Sequence, residues 1–278
     1  MAPDLEASTE PLLACPFGPL ELAAVPPPGP AVRLSLVVPT YNESEALPEL
    51  VAELEALFDP VLGEAYELIV VDDDSPDRTW EVAARLAATR PHLRVVRRTR
   101  EKGLASAVVR GWQLARGEIL GVMDADLQHP VETNLALVRE LLAGADLAVA
   151  SRHVAGGGVS DWRLSRRLVS RGAQLLGLLV LPEVLGRLSD PMSGFFMVRR
   201  SALSHVVLDP LGYKILIEVV ARGRIGSIRE VGYVFRERAA GSSKATLGVY
   251  AQYCRHLLRL RWAAIRRRAA NRGVVEGG

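Results

Sequence analysis

The stretch "EILGVMDADLQHP", residues 118–130, decides how the chain is read. An apolar run ends in two aspartates one residue apart, Asp124 and Asp126, followed by Gln128, His129 and Pro130. The run has the length and composition of a buried strand. Carboxylates are costly to bury unpaired, so a strand that ends in two of them wants water, a cation or a cationic partner there. At i and i+2 on an extended chain both side chains point to the same side. The pair can therefore face one ion at a sheet edge. Oxygen ligands suit Mg2+ or Mn2+, and Gln128 can add a neutral oxygen. A second reading is that the two aspartates cap a helix beginning near Pro130.

Working outward, the pattern alternates from Arg33 onward. "LSLVVP", "YELIVVD", "LRVVRR", "EILGVMD" and "ADLAVAS" are short apolar runs that predict strands. Between them, "SEALPELVAELEALF", "DRTWEVAARLAATR", "GLASAVVRGWQLAR" and "VETNLALVRELLA" carry helical spacing. Such alternation predicts an α/β domain, with a mostly parallel sheet covered by helices on both faces. Ligands of such sheets bind beyond the carboxyl ends of the strands. Acidic residues lie at three of those ends: Glu43, Asp72 to Asp74, and the Asp124–Asp126 pair. After residue 152 the pattern loosens into a helix near 162–181, strands near 193–199 and 227–236, and an Arg-rich helix near 246–268.

A chain of 278 residues, 49% hydrophobic, is long enough for one large domain or two small ones. A net charge of +2 gives no polyelectrolyte signal, and aromatic stacking motifs are missing, so nucleic acid is not expected as a partner. Charge is unevenly placed. Residues 1–32 hold four acids and no Lys or Arg, whereas residues 245–275 hold seven Arg and no acid. The first 32 residues carry eight of the 17 prolines and predict a disordered leader; they lack the basic start of a signal peptide. Two cysteines make no disulfide framework, which points to a reducing compartment. No uncharged run reaches the roughly 18 residues of a transmembrane helix.

"VVPTYNE" (37–43), "VVDDDSPDRT" (70–79) and the "DAD" stretch, in that order and strand context, resemble the nucleotide-sugar half of a family 2 glycosyltransferase. "SRHVAGGG", "DWRLSRRLVSRGA", "DPMSGFFMVRR", "GYKILIE" and "FRERAAGSSK" are similar to segments of polyprenol-phosphate (dolichol-phosphate) mannose synthases. The resemblance runs from Leu34 to Lys244. It implies a single catalytic domain, residues 33–244, of the Rossmann-like GT-A fold, and mannose transfer from GDP-mannose to a polyprenyl or dolichyl phosphate. It further implies that Pro39, Tyr41 and Glu43 hold the nucleoside, with Val71 and Asp73 as base and ribose contacts. Asp124, Ala125, Asp126 and Gln128 match the metal and diphosphate site. Arg238 and Lys244 match a basic pair on a loop over the donor phosphates. Asp124, Asp126 and Arg238 are the residues through which catalysis is expected.

On the acceptor side, the resemblance assigns Arg152, Arg166 and Ser170 to the lipid phosphate. Arg166 and Ser170 are four apart and share a face if helical. A phosphate monoester is already anionic near pH 7, its second pKa being about 6, so no general base is needed and one displacement inverts the sugar. Asp190 lies where related enzymes place a base; its role is left open. Asp74 and Arg78 stand where the family often has glycine, and Ala105 also departs from its pattern. Rival readings are a UDP-glucose transferase acting on the same lipid phosphate, or a non-catalytic nucleotide or anionic-lipid binder. Residues 245–278 are expected to form a basic amphipathic helix and tail, an anchor that attaches the protein peripherally to the cytoplasmic face of a membrane. Its removal is expected to leave the matched donor and acceptor residues in place.

Overall fold

The computed structural model describes residues 12–27, 29–159, 172, 174–236 and the helix 247–275, the side chains of that helix from 252 to 266. Its strands are β1 (Leu20–Glu21), β2 (Leu34–Thr40), β3 (Tyr66–Asp72), β4 (Leu93–Arg97), β5 (Ile119–Val122) and β6 (Leu147–Ser151), then β7 (Gly158–Val159), β8 (Phe196–Arg199), β9 (Val207–Leu208), β10 (Ile228–Gly232) and β11 (Val234–Phe235). The longer helices are α1 (Leu47–Leu62), α2 (Thr79–Ala87), α3 (Leu104–Leu114), α4 (Thr133–Leu142), α5 (Ile215–Arg222) and α6 (Leu247–Val275). The main sheet has the order β10-β6-β8-β5-β2-β3-β4. Every neighbouring pair in it is parallel except those made by β8, which runs antiparallel to β5 and β6. The expected mostly parallel α/β sheet is therefore present.

Side-chain alternation builds two cores from one sheet. Val37, Ile69, Val71 and Val96 pack on one face with Trp112 of α3. Leu36, Val38, Leu68 and Val70 pack on the other with Leu50, Leu54 and Phe58 of α1. Gly111 lets α3 lie directly on β2, because a Cβ there would sit 2.7 Å from the Val37 methyls. With β2, β3 and β5 parallel, the three acidic loops that follow them emerge at the same edge.

Two expectations are corrected. The first 32 residues do not form a disordered leader throughout. Leu13 bridges Val96, β1 pairs antiparallel with β9, and Leu22 is fully buried in the core around Trp112. Arg110 and Gln113 of α3 donate to the carbonyls of Gly18, Pro19 and Glu21. The prolines of this stretch shape an extended strap that buries a few apolar side chains; residues 1–11 lie outside the described residues. The C-terminal helix is likewise part of the domain. Tyr253, His256, Leu257 and Leu260, at helical spacing, are buried. His256 Nε2 lies 2.8 Å from Glu218 Oε2, a carboxylate of α5 with no exposure. Gly177, in the helical stretch 174–180, leaves room for the Tyr253 hydroxyl, which a Cβ would meet at 2.5 Å. Removing α6 would therefore strip the core and undercut the helix beside it. None of the described helices is long and apolar enough to cross a membrane.

Candidate active site

The loops after β2 and β3 are tied together by Asp72. Its carboxylate accepts hydrogen bonds from Thr40 Oγ1 (2.8 Å), Ser75 Oγ (2.6 Å) and the Ser75 amide (2.8 Å). Asp72 is fully buried, and burial pushes its pKa up even against these donors. Further bonds run from the Asn42 amide to Ser75 Oγ, from the Glu43 amide to Thr79 Oγ1 and from the Ser44 amide to Asp77. These bonds hold the "YNE" turn, and so Tyr41 and Glu43, at the sheet edge. Asp73 is engaged as well: Arg98 Nε donates to one oxygen at 2.6 Å and the Gly103 amide to the other at 2.6 Å. Asp74 pairs with Arg97 at 2.6 Å. Pro39 and the Val71 side chain are buried, while Tyr41 is exposed with the Lys102 ammonium 5.7 Å from its ring centre.

The "DAD" loop is built differently. Helix α4 begins only at Thr133 and its first turn has no side-chain cap, so the capping reading of the two aspartates is set aside. Leu127 adopts φ +57°, a left-handed conformation costly for a bulky residue, and re-aims the chain between Asp126 and Gln128. Asp126 Oδ1 accepts the Gln128 amide. Gln128 in turn exchanges hydrogen bonds with Arg236: its side-chain amide donates to the Arg236 carbonyl and its own carbonyl accepts the Arg236 N–H. This fastens Arg236, directly after β11, to the aspartate loop. Asp124 is one-third exposed and its ion-pair neighbour is His129, 3.6 Å away; no Lys or Arg pairs with it among the described residues. Gly194 flanks it, where even a Cβ would lie 3.4 Å from Oδ2. Among the described residues no three His, Cys, Asp or Glu side chains gather around one point to hold a metal. Two carboxylates at a strand end, Asp124 being one-third exposed, fit a hard cation that takes its other oxygens from a diphosphate.

Beyond β6 lies a group of buried charges. Arg152 grips Asp190 with two parallel hydrogen bonds, Nε to Oδ2 at 2.7 Å and Nη2 to Oδ1 at 2.8 Å, and its amide donates to Oδ2 as well. Burial alone would raise the Asp190 pKa, but the Arg152 guanidinium outweighs it and holds the carboxyl below its ordinary value. Lys214, at the start of α5, donates to the Met192 carbonyl at 2.8 Å. Desolvation of its ammonium, with repulsion from Arg152, pushes its pKa down to about 8 against the pull of Asp190 and Asp124. The Tyr233 hydroxyl feels the same charges, and burial raises its pKa.

Arg152, expected at the lipid phosphate, is a largely buried guanidinium paired with Asp190. Arg166 and Ser170, in the stretch 160–171, and Arg238 and Lys244, in the stretch 237–246, lie outside the described residues. Sequence reading passed over Lys214, although "GYKILIE" was singled out; the signal was a lysine directly before a wholly apolar turn, "ILI", which leaves its ammonium little water. It also passed over the Arg152–Asp190 pair, whose members are 38 residues apart.

The family model for glycosyl transferase family 2 matches residues 35–207. The chain is 44% identical over 229 residues to a dolichol-phosphate mannosyltransferase of Pyrococcus furiosus; the match covers 82% of this chain and 64% of that protein, less than two thirds of its length. It is 35% identical to the dolichol-phosphate mannosyltransferase of Saccharomyces cerevisiae, over 83% of this chain and 87% of the yeast protein. It is 36% identical to a polyprenol monophosphomannose synthase of Mycolicibacterium smegmatis, over 77% of this chain and 82% of that one. Among solved structures, mannosyl-3-phosphoglycerate synthase from Rubrobacter xylanophilus superposes with a TM-score of 0.62 at 21% identity, covering 86% of this chain and 75% of its own. Glucosyl-3-phosphoglycerate synthase from Mycobacterium tuberculosis, solved with Mn2+ and UDP-glucose, gives 0.62 at 24% identity, covering 84% and 79%. These neighbours share the GT-A architecture. With its sheet order, its three acidic loops at one edge and a family match over more than half its length, the chain belongs to glycosyl transferase family 2.

Proposed function

We propose that the protein transfers mannose from GDP-mannose to a polyprenyl or dolichyl monophosphate, with inversion, to give a polyprenyl β-mannosyl phosphate. The observation that carries this reading is the charge arrangement around Asp190. Both oxygens of Asp190 are taken by Arg152, and the carboxyl is held ionised. It is a positioning partner for a guanidinium, not a general base. A site built this way suits an acceptor that arrives ionised, as a phosphate monoester does. Lys214, with no carboxylate at ion-pair distance among the described residues, supplies positive charge that would draw its oxygens in, and Arg152, Arg166 and Ser170 are the further residues expected to hold that phosphate. Asp124 and Asp126 would hold Mg2+ or Mn2+, which when bound offsets charge on the diphosphate leaving group. Tyr41 and Glu43 remain the residues expected at the nucleoside, and Arg238 and Lys244 at the donor phosphates.

Membrane contact belongs to the same reading. Leu175, Leu176 and Leu179 of the stretch 174–180 are exposed, as are Leu258, Trp262 and Ile265 of α6. The two stretches meet at Gly177 and Tyr253. Exposed apolar side chains beside a basic helix suit a lipid headgroup layer, and would bring the acceptor's phosphate to Arg152 from the bilayer. Incubating the pure protein with labelled nucleotide sugars and a short polyprenyl phosphate tests the reading. Mannosyl lipid formed from GDP-mannose is expected. Glucosyl lipid from UDP-glucose would move the assignment to that donor, and no transfer from any donor would leave a binding protein.

A further inference from the structure

His129 directly follows the aspartate loop, and its surroundings are unusual for a histidine. Its ring is buried inside three aromatic rings: Phe195 at 5.1 Å and Phe235 at 5.2 Å meet it edge-on, and Tyr233 lies tilted at 5.4 Å. Nδ1 is buried and has no hydrogen-bond partner among the described residues. Nε2 faces Asp124 Oδ2 at 3.6 Å. A hydrogen on Nε2 has a carboxylate to point at, whereas one on Nδ1 has no acceptor among the described residues. Aromatic rings pack around the imidazole, and Asp124, one-third exposed, is its charged neighbour at a distance just beyond a hydrogen bond.

We propose that His129 is a positioning residue for the metal site: its Nε2–H holds one oxygen of Asp124, leaving the other turned toward the cation. The inference rests on the reading of Asp124 and Asp126 as metal ligands. Carboxylates that bind metals are themselves commonly hydrogen-bonded, and losing such a partner typically weakens metal binding about 10–100-fold. The plain alternative is that His129 only fills the aromatic cage.

Three substitutions in the full chain separate the two. His129→Gln keeps an N–H near the position of Nε2, His129→Asn places one near Nδ1, and His129→Phe fills the cage without any polar atom. The measurement is titration with Mn2+ alone, followed by loss of the free-ion paramagnetic resonance signal, beside the melting temperature without metal. The expected result is binding close to wild type for the Gln variant and about 10–100-fold weaker binding for the Asn and Phe variants, with the Phe variant as thermally stable as wild type. Wild-type Mn2+ affinity in the Phe variant overturns the proposal, as does a Gln variant as weak as the Phe variant. If the wild type itself takes up no Mn2+, alone or with a nucleoside diphosphate present, the metal reading falls, and this inference with it.

Discussion

Two acidic loops emerge at the same edge of the sheet, and they use the same residue to opposite ends. At the end of β3 and in the loop that follows, the three aspartates are all engaged by protein groups: Asp72 by Thr40 and Ser75, Asp73 by Arg98 and the Gly103 amide, Asp74 by Arg97. In the loop after β5, Asp124 has no cationic side chain at ion-pair distance among the described residues except a histidine. Carboxylates whose lone pairs are satisfied by donors from the fold are structural. A carboxylate left one-third exposed at a strand end, next to a glycine, is available to something that arrives. Runs of acid in a sequence thus say little until the donors around them are known.

The comparison breaks most sharply under truncation of one aspartate from each loop. Asp126→Ala should abolish transfer while leaving the urea midpoint in place, because a metal ligand contributes several kcal/mol of charge stabilisation to the reaction and little to the fold. That corresponds to roughly a thousandfold or more in rate. EDTA should do the same to the wild type, reversibly with added Mn2+. Full activity in either test would end the metal reading. Asp72→Ala should do the reverse. It strands three donors in a dry site, at a cost of about 2–4 kcal/mol of stability. Denaturation with urea would measure this, and a midpoint unchanged from wild type would show that Asp72 is not the staple described.

Legibility followed the range of the interactions. β2 and β3 could be bounded almost to the residue, because a strand buried on both faces between turn residues has few competing readings. The Asp124–Asp126 pair was visible because i and i+2 geometry is local. The strap 12–27 was not, since its prolines read as disorder and the partners of Leu13 and Leu22 lie on β4 and in the segment near Ser204, far along the chain. The same holds for Arg152 with Asp190 and for Glu218 with His256: each is a buried pair whose members are 38 residues apart. Helix α6 misled for a different reason. Its many arginines suggest a solvated or interfacial face, while among its described side chains those at positions 253, 256, 257 and 260 are buried.

Lys214 sharpens the comparison from the cationic side. If it meets an anionic substrate as an ammonium, kcat/KM for the acceptor should fall as pH rises through about 8, the value to which desolvation and Arg152 push it. The sign for stability is opposite. The folded chain binds this proton less tightly than the unfolded chain, about 8 against 10.5, so raising the pH through that window favours the fold. Activity should therefore decline while this group's contribution to stability grows. Lys214→Arg should move the decline to higher pH, and Lys214→Met should lower kcat/KM about tenfold or more at pH 7, as expected for one lost charge-assisted contact. An alkaline limb that persists in the Arg variant would assign it to another group.

The smallest effects are expected where the loop after β3 departs from the family's glycines. Asp74 and Arg78 adopt φ +55° and +61°, the left-handed conformation that glycine accepts freely. Holding a residue with a Cβ there costs about 1–2 kcal/mol, less for Asp, whose side chain tolerates it. Arg78 is well exposed, and its pair with Glu81 sits at the surface, where such pairs are worth about 0–1 kcal/mol. Arg78→Gly should therefore leave stability unchanged or raise it by up to about 1 kcal/mol, since relief of the backbone is partly offset by the greater freedom of the unfolded glycine. Asp74→Gly gains less relief and loses the Arg97 pair, itself one-third exposed, so it should fall within about 0.5 kcal/mol of wild type. Arg97 keeps its place 3.8 Å over the Trp80 ring in either variant. Urea midpoints of the two variants beside Asp72→Ala give the ranking directly. A cost at Asp74 as large as that at Asp72 would mean that the whole acidic run works as one staple, and that the division between Asp72, Asp73 and Asp74 is drawn too finely.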